Sequence, residues 1–116
     1  MNIEQRMQQL RDLAKQRAKS KAQKEYLEHF RKSQLAILKK EYAVVKDGAK
    51  FMYPSSASQD DQARADHRYL ETLTGLKIAT EEYEYMNWEL KIAEMGAGLW
   101  QTKQANERAE RKGYGA

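Results

Sequence analysis

The sequence predicts an all-α protein in which two long helices form an antiparallel helical hairpin or coiled coil. Charged residues make up 33% of the 116-residue chain and hydrophobic residues 41%, and strong helix formers dominate the composition. Glycine occurs 6 times and proline once, so few residues interrupt a helix. Apolar residues recur in steps of three and four on both sides of a single Pro/Ser break, which is helical spacing.

The first predicted helix begins after Asn2, a suitable N-cap with Gln5 three residues later. Its apolar positions are Met7, Leu10, Ala14, Ala18, Ala22, Tyr26, Phe30, Leu35, Leu38, Tyr42 and Val45. Alanine buries little apolar area, whereas the later side chains are large. We therefore expect residues 1–25 to be a mobile basic helical arm and residues 26–47 to be the packing part of this helix.

Residues 48–58 form the predicted connecting loop. Gly48 is a natural helix C-cap, and Pro54 blocks helix while holding the residue before it extended. Ser58 is the predicted N-cap of the second helix, because acidic residues that suit the helix dipole follow it.

The second predicted helix covers residues 59–111 and leaves residues 112–116 as a tail. Its near-heptad apolar positions are Tyr69, Leu73, Leu76, Ala79, Tyr83, Met86, Leu90, Ala93, Ala97 and Trp100. Gly75 lies mid-helix, where it costs about 1 kcal/mol relative to alanine, so we expect another backbone or a large ring to approach it closely. The pattern continues past Gly96 and Gly98, which predicts a bend there and no stop.

The sequence lacks the residues and motifs that several classes of function require. Without cysteine there are no disulfides, thiolate metal sites or cysteine nucleophiles. No nucleophile motif, phosphate loop or dinucleotide fingerprint is present, so we expect no enzyme activity and no cofactor. His29 and His67 are interpreted as surface histidines without a bound metal. The N-terminal residues have no apolar segment typical of a signal peptide, and no stretch reaches the ~18 apolar residues of a membrane span. We therefore expect a cytoplasmic protein that does not enter a membrane.

The charge is unevenly divided between the two halves of the chain. Residues 1–50 carry 13 Lys/Arg and 6 Asp/Glu, a net of +7, and residues 51–116 carry 8 and 11, a net of −3. Opposite charge favours pairing of the halves, and the basic excess favours phosphate binding. The candidate nucleic-acid contacts are Arg11, Lys15, Arg17, Lys19, Lys21, Lys24, Arg31 and Lys32. Tyr26, His29 and Phe30 are placed to stack on bases, and a solvated helix face is the alternative interpretation.

The aromatic residues of the second helix are candidates for contact with a protein. Large apolar and aromatic side chains near an exposed chain end often anchor an interface. The predicted partner-binding residues are Trp88, Leu99 and Trp100.

Further sequence features are shared with a known group of proteins. They are Phe30-Arg-Lys-Ser33 with its apolar run to Leu38, Tyr69-Leu70, Leu73, Gly75-Leu-Lys-Ile-Ala79, Glu81, Glu82, Trp88, Leu90, Ala93, Trp100, Thr102 and Ala105-Asn-Glu-Arg108. Over about residues 26–111 the chain resembles small uncharacterised helical proteins of tailed bacteriophages and prophages, encoded near early recombination and replication genes. The resemblance implies an accessory role in phage DNA metabolism in the host cytoplasm, and it supplies no catalytic residue.

Two functional hypotheses follow. The first is a non-enzymatic accessory protein of DNA recombination or replication that binds a recombination, replication or host protein, single- or double-stranded DNA, or both. The alternative is a protein-only interaction element, either an inhibitor of a host factor or a coiled-coil scaffold. The sequence leaves open the partner, the formation of a homo-oligomer, and whether the hairpin closes within one chain or is swapped between chains.

Overall fold

The described part of the molecule is entirely helical apart from its connections, as predicted. The computed structural model describes residues 2–43, 53 and 55–114, and within these ranges there is no β-strand. Helix α1 spans Ile3–Ala43, α2 spans Ser56–Ala65 and α3 spans His67–Tyr114. At 1.5 Å per residue, α1 is about 60 Å long and α3 about 70 Å long. The expectations for Val45 and Gly48, for Pro54 and for the end of the tail concern residues outside these ranges.

The start of α1 is the predicted capping box. The Gln5 backbone N–H donates to Asn2 Oδ1 at 2.8 Å, and the Asn2 N–H donates to Gln5 Oε1 at 2.9 Å. Each side chain thus satisfies a backbone donor that the first helical turn leaves unpaired. This prediction is confirmed.

The N-cap of α2 is Ser55, so the prediction of Ser58 is wrong by one turn. Ser55 Oγ accepts the Ser58 N–H at 3.0 Å, and the Ser58 hydroxyl donates to the Ser55 carbonyl at 2.9 Å. Ser58 therefore reinforces the cap from inside the helix.

A break at Asp66 divides the second predicted helix into α2 and α3, so the prediction of one continuous helix is wrong here. Asp66 has extended backbone angles (φ −64°, ψ 135°). Its Oδ1 accepts the Arg68 backbone N–H at 2.9 Å, which is N-capping geometry for α3. The side chain competes successfully with helix continuation because it also satisfies Tyr42 and the Arg68 guanidinium.

The chain divides into two compact units, a central unit of residues 20–82 and a terminal unit of residues 1–19 and 83–116. In the central unit, the end of α1 packs against α2 and the start of α3. Leu38, Ala63 and Tyr69 are buried there to 4% exposure or less, with Leu35, Tyr42 and Leu73 packed against them. Gln34 Nε2 donates to the Arg68 carbonyl at 3.3 Å, and eight residues later on α1 the Tyr42 hydroxyl donates to Asp66 Oδ2, just before α3 begins, so α1 and α3 run antiparallel in this unit.

The terminal unit joins the first part of α1 to the second half of α3 through cationic and aromatic side chains. The Arg6 guanidinium lies 5.7 Å from the centroid of the Trp100 ring. The Arg17 guanidinium lies 5.7 Å from the Tyr83 ring centroid and donates to Asn87 Oδ1. The earlier arginine on α1, Arg6, contacts the later ring on α3, and Arg17 contacts the earlier ring. The two helices are therefore antiparallel in this unit as well. The predicted arm thus contacts α3, and its mobility stays a prediction.

The packing face of α1 agrees with the predicted one at Leu10, Leu35, Leu38 and Tyr42 and differs from it at the other described positions. Met7, Ala14, Ala18, Ala22, Tyr26 and Phe30 are all exposed, so the prediction is wrong at these positions. Most of the half-buried or buried positions follow 4-3 steps, namely Arg6, Leu10, Leu13, Arg17, Ser20, Lys24, Leu27, Arg31, Gln34 and Leu38; Glu28, Leu35, Lys39, Tyr42 and Ala43 are half-buried beside them. Long cationic side chains can occupy such a face because their methylene stems pack while their charged ends reach water.

The packing face of α3 is the predicted one, since all ten predicted positions from Tyr69 to Trp100 are buried or half-buried. The expected close approach at Gly75 is wrong, because a Cβ there would meet nothing within 4 Å. The helix continues through Gly96 and Gly98 to Tyr114, so neither glycine ends it, and the bend stays a prediction.

Candidate functional site

Three of the predicted phosphate-binding residues form an exposed row on the terminal unit. Arg11, Lys15 and Lys19 follow one another in steps of four along α1, and all three side chains are exposed. A step of four residues advances ~6 Å along a helix and keeps the side chains on one side of it. We call these three residues the basic row. Ala14 and Ala18 lie between its members and are too small to obstruct access to it.

Arg17 does not belong to this row, although the sequence analysis grouped it with the others. It is half-buried against α3, where it donates to Asn87 Oδ1 and, at 3.4 Å, to the Tyr83 hydroxyl. Its guanidinium is therefore engaged within the terminal unit, and the structure assigns it a packing role.

The remaining predicted cations lie in the central unit and differ in exposure. Lys21 and Lys32 are exposed. Lys24 Nζ lies 3.9 Å from Glu28 Oε1, and only 26% of its side chain is exposed. Arg31 is half-buried on the packing face of α1. Of these four residues, Lys21 and Lys32 are thus the ones most accessible to an external phosphate.

Tyr26 and Phe30, which the sequence offers for base stacking, stack on each other on the outside of the central unit. Their ring centroids are 6.0 Å apart with 16° between the ring planes. Tyr26 is 62% exposed and Phe30 is 40% exposed. Both rings thus keep accessible faces, as does the nearby exposed His29.

A second exposed feature of the terminal unit is a line of large apolar side chains on α3. Two of its members, Trp88 and Leu99, were predicted as partner contacts. The full line, which we call the α3 strip, is Tyr85, Trp88, Ile92, Met95 and Leu99. The third predicted residue, Trp100, is half-buried beneath Arg6 and belongs to the packing face.

The partner contacts predicted from the sequence do not include Tyr85, Ile92 and Met95. The signal was present, because the positions from Tyr85 to Leu99 follow 3-4-3-4 steps, the spacing of a coiled-coil seam. The packing face of the same helix also has near-heptad spacing. The prediction assigned that spacing to the packing face and did not consider the second pattern from Tyr85 to Leu99.

The buried carboxylate of Asp66 is the strongest electrostatic feature of the central unit. Asp66 is 8% exposed and accepts from the Tyr42 hydroxyl at 2.8 Å, the Arg68 backbone N–H and the Arg68 guanidinium. These hydrogen bonds hold the pKa of Asp66 well below its usual range, and the hydrogen bond from the Arg68 guanidinium has the largest effect. The pKa of Tyr42 is raised, chiefly because its hydroxyl donates to Asp66. Every donor comes from the hairpin itself, so this group is structural.

Neither histidine lies in a metal-binding cluster. Within the described residues, no group of three or more His, Cys, Asp or Glu side chains is arranged to hold a metal ion. His67 is exposed, with Nδ1 3.7 Å from Asp66 Oδ1. No helix in the described ranges is both long and apolar enough to cross a membrane.

Comparison of the chain with protein-family models, with curated proteins and with solved structures gives no match.

Proposed function

We propose that the chain is a non-enzymatic accessory protein that binds the phosphate backbone of nucleic acid through the basic row. The observation that carries this proposal is the exposure of Arg11, Lys15 and Lys19 on one side of α1. Cations so arranged displace counterions from a nucleic-acid backbone and bind it without reading its sequence. The setting implied by the sequence resemblance is DNA recombination or replication in a bacterial cytoplasm.

The charge around the row supports contact with an anion. The N-terminal half of the chain is strongly basic, and the chain as a whole carries +4. Asp12 lies beside the row, where its Oδ1 accepts a hydrogen bond from Gln8 Nε2 at 2.8 Å, and its charge offsets one of the three positive charges of the row. The electrostatic attraction between this basic half of the chain and DNA speeds their encounter, and it weakens steeply as salt is added.

The test is fluorescence anisotropy with labelled single- and double-stranded DNA at low and rising salt. The variant Arg11→Gln/Lys15→Gln/Lys19→Gln removes the row. We expect it to bind at least tenfold more weakly than the parent at low salt. We also expect the slope of log affinity against log salt to fall by about 2 to 3, at ~0.9 per lost phosphate contact.

A matched control removes the same types of charge from other exposed positions. Lys77→Gln/Arg108→Gln/Lys112→Gln also loses one arginine and two lysines, all exposed on α3. We expect this control to bind nearly as well as the parent. Absence of any complex at low salt, or equal losses in the two triple variants, contradicts the proposal.

A second candidate function is a protein-only interaction element, which the exposure of the α3 strip favours. Its five side chains are between 58% and 72% exposed. A contiguous apolar patch of this kind marks a protein interface more often than an ordinary surface. Under this alternative, the triple variant of the basic row keeps every activity of the parent, and substitution within the strip abolishes it.

A further inference from the structure

The α3 strip faces away from the helix that α3 already contacts. At about 100° per residue, the mean direction of the strip differs by about 150° from that of the packing face between Tyr83 and Trp100. Contact of α1 with that packing face therefore leaves the strip uncovered, and the exposures of its five side chains show this directly. The terminal unit thus presents two helical seams on one helix, of which one is filled.

The strip has the side-chain pattern of a two-helix interface. In a heptad frame, Tyr85, Ile92 and Leu99 take the a positions, and Trp88 and Met95 take the d positions. With ~200 Å² for each large side chain and about three-fifths of it exposed, the strip offers about 600 Å² per molecule. A stable interface buries about 800 Å² per partner, so the strip supplies about three-quarters of that area and the proposal requires its flanking side chains to supply the rest.

We propose that the strip binds the same strip of a second copy of the chain, with the two α3 helices antiparallel. A symmetric pair places apolar residues opposite apolar residues at the four central positions of the strip, Trp88, Ile92, Met95 and Leu99. With the two-fold axis between Ala93 and Glu94, Ile92 of one copy lies opposite Met95 of the other. Trp88 then lies opposite Leu99, and Tyr85 lies opposite Thr102.

The flanking charges select the antiparallel orientation. In a parallel pair, Glu84 at a g position meets Glu89 at the following e position of the second copy, on both sides of the strip. The antiparallel pair avoids this repulsion and brings Glu82 beside Lys103 of the second copy, twice by symmetry. Its one like-charged pairing, Lys77 with Lys112, falls beyond the ends of the strip, where water screens it.

Two of the glycines of α3, Gly96 and Gly98, fit the same arrangement. Glycine destabilises a helix by about 1 kcal/mol relative to alanine, and little within the chain itself packs closely enough against either residue to require glycine there. A Cβ at Gly98 would meet nothing within 4 Å, and one at Gly96 would meet only Arg6 Nη1 at 3.9 Å. In the antiparallel pair, Gly98 lines the recess that receives Trp88 of the second copy, and Gly96 lines the recess for Ile92. The bare backbone gives the bulky indole room.

The first test is the mass of the protein in solution from about 1 to about 200 µM, measured by sedimentation equilibrium. We expect twice the 13.5 kDa of one chain at the higher concentrations. Ile92→Glu introduces a charge at the centre of the strip and should raise the dissociation constant of the dimer by about 30-fold or more. Because Ile92 is 58% exposed, the helical circular dichroism of the monomer should not change.

The matched control is Ile37→Glu, since Ile37 is also 58% exposed but lies on α1 outside the strip. We expect it to dimerise like the parent, as should the triple variant of the basic row, so failure of this inference is distinct from failure of nucleic-acid binding. A strict monomer at every concentration overturns the proposal, and so does equal weakening by the two glutamate variants.

Cysteine cross-linking tests the relative orientation of the two α3 helices. Because the chain has no native cysteine, only the introduced cysteines can form a disulfide. The proposed register places Glu81 opposite Asn106 of the second copy. Under oxidation, a mixture of Glu81→Cys and Asn106→Cys proteins should give a disulfide-linked dimer of one chain of each. Asn106→Cys alone should give none. A linked dimer from Asn106→Cys alone indicates parallel helices and contradicts the proposed orientation.

Discussion

The central and terminal units hold their helices together with different chemistry. The central unit has a small apolar cluster around Leu38, closed at one end by the hydrogen-bonded Asp66. The terminal unit relies on Arg6 and Arg17 against aromatic rings, with Met86 as its buried large apolar side chain. Apolar burial stabilises by removing area from water, whereas half-exposed cation–aromatic contacts each contribute only about 0.5–1 kcal/mol. We therefore expect the central unit to be the more stable region and the terminal unit to open first.

The largest expected effect is that of Leu38→Ala. Leu38 is 2% exposed and touches residues of all three helices in the central unit, so the substitution leaves a cavity among them. We expect the free energy of unfolding to fall by about 2–5 kcal/mol, measured by urea denaturation. The neighbouring Ile37→Ala, at an exposed position, should change it by no more than about 0.5 kcal/mol. Similar losses in the two variants would contradict the assignment of the core to this cluster.

The next effect is the pH dependence of the central unit. Because folding lowers the pKa of Asp66, the stabilisation by its carboxylate is present above the unfolded pKa of about 4 and is lost as the pH falls below it. Because folding raises the pKa of Tyr42, the stabilisation by its neutral hydroxyl is present below about pH 10 and is lost as the pH rises beyond that. Thermal unfolding followed by circular dichroism should show both losses.

Asp66→Asn separates this group from the other carboxylates. We expect a lower unfolding midpoint at neutral pH and a weaker dependence on acid than in the parent. Asp60→Asn is the matched control, because Asp60 contacts Arg64 on the surface of α2 and should keep the acid dependence. An Asp66→Asn protein with the parent's full acid transition would show that other groups cause it.

The smallest effect is local to the terminal unit. Arg17→Ala removes the hydrogen bond to Asn87 and the contact with the Tyr83 ring, at a cost of about 1 kcal/mol. We expect amide hydrogen exchange in residues 1–19 to accelerate about fivefold, with residues 67–79 unchanged. Arg11→Ala is the control, since Arg11 is exposed. Equal acceleration in both units would remove the distinction between them.

The sequence predicts the fold well where large apolar residues alone define a helix face. The packing face of α3 from Tyr69 to Trp100 follows from its spacing, and the capping pair of Asn2 and Gln5 follows from local chemistry. The face of α1 follows only in part: its alanines have helical spacing but little area to bury, and the large side chains of Met7, Tyr26 and Phe30 are exposed as well. Arg6 and Arg17 take their place through contacts with aromatic rings that no property of α1 alone reveals.

The break at Asp66 shows a further limit of sequence-based reasoning. An aspartate inside a helical pattern is ordinary, and this one ends a helix only because Tyr42 and Arg68 complete its hydrogen bonds. Tyr42 is 24 residues away along the chain. For the candidate site, charge alone selected Arg11, Lys15 and Lys19, which are exposed, and their contact with nucleic acid stays a prediction. Charge could not separate them from Arg17, because that distinction depends on the rotation of α1 about its axis.

The contrast between the two tryptophans gives the molecule a pair of intrinsic optical probes. Trp88 is 61% exposed with Lys91 Nζ 5.0 Å from its ring centroid, whereas Trp100 is half-buried beneath Arg6. An indole in water emits at longer wavelength than one shielded from it. Emission from Trp88 therefore reports occupation of the α3 strip, and emission from Trp100 reports separation of α1 from α3 in the terminal unit. Assembly and opening can thus each be followed without a label in a variant that keeps only the tryptophan concerned.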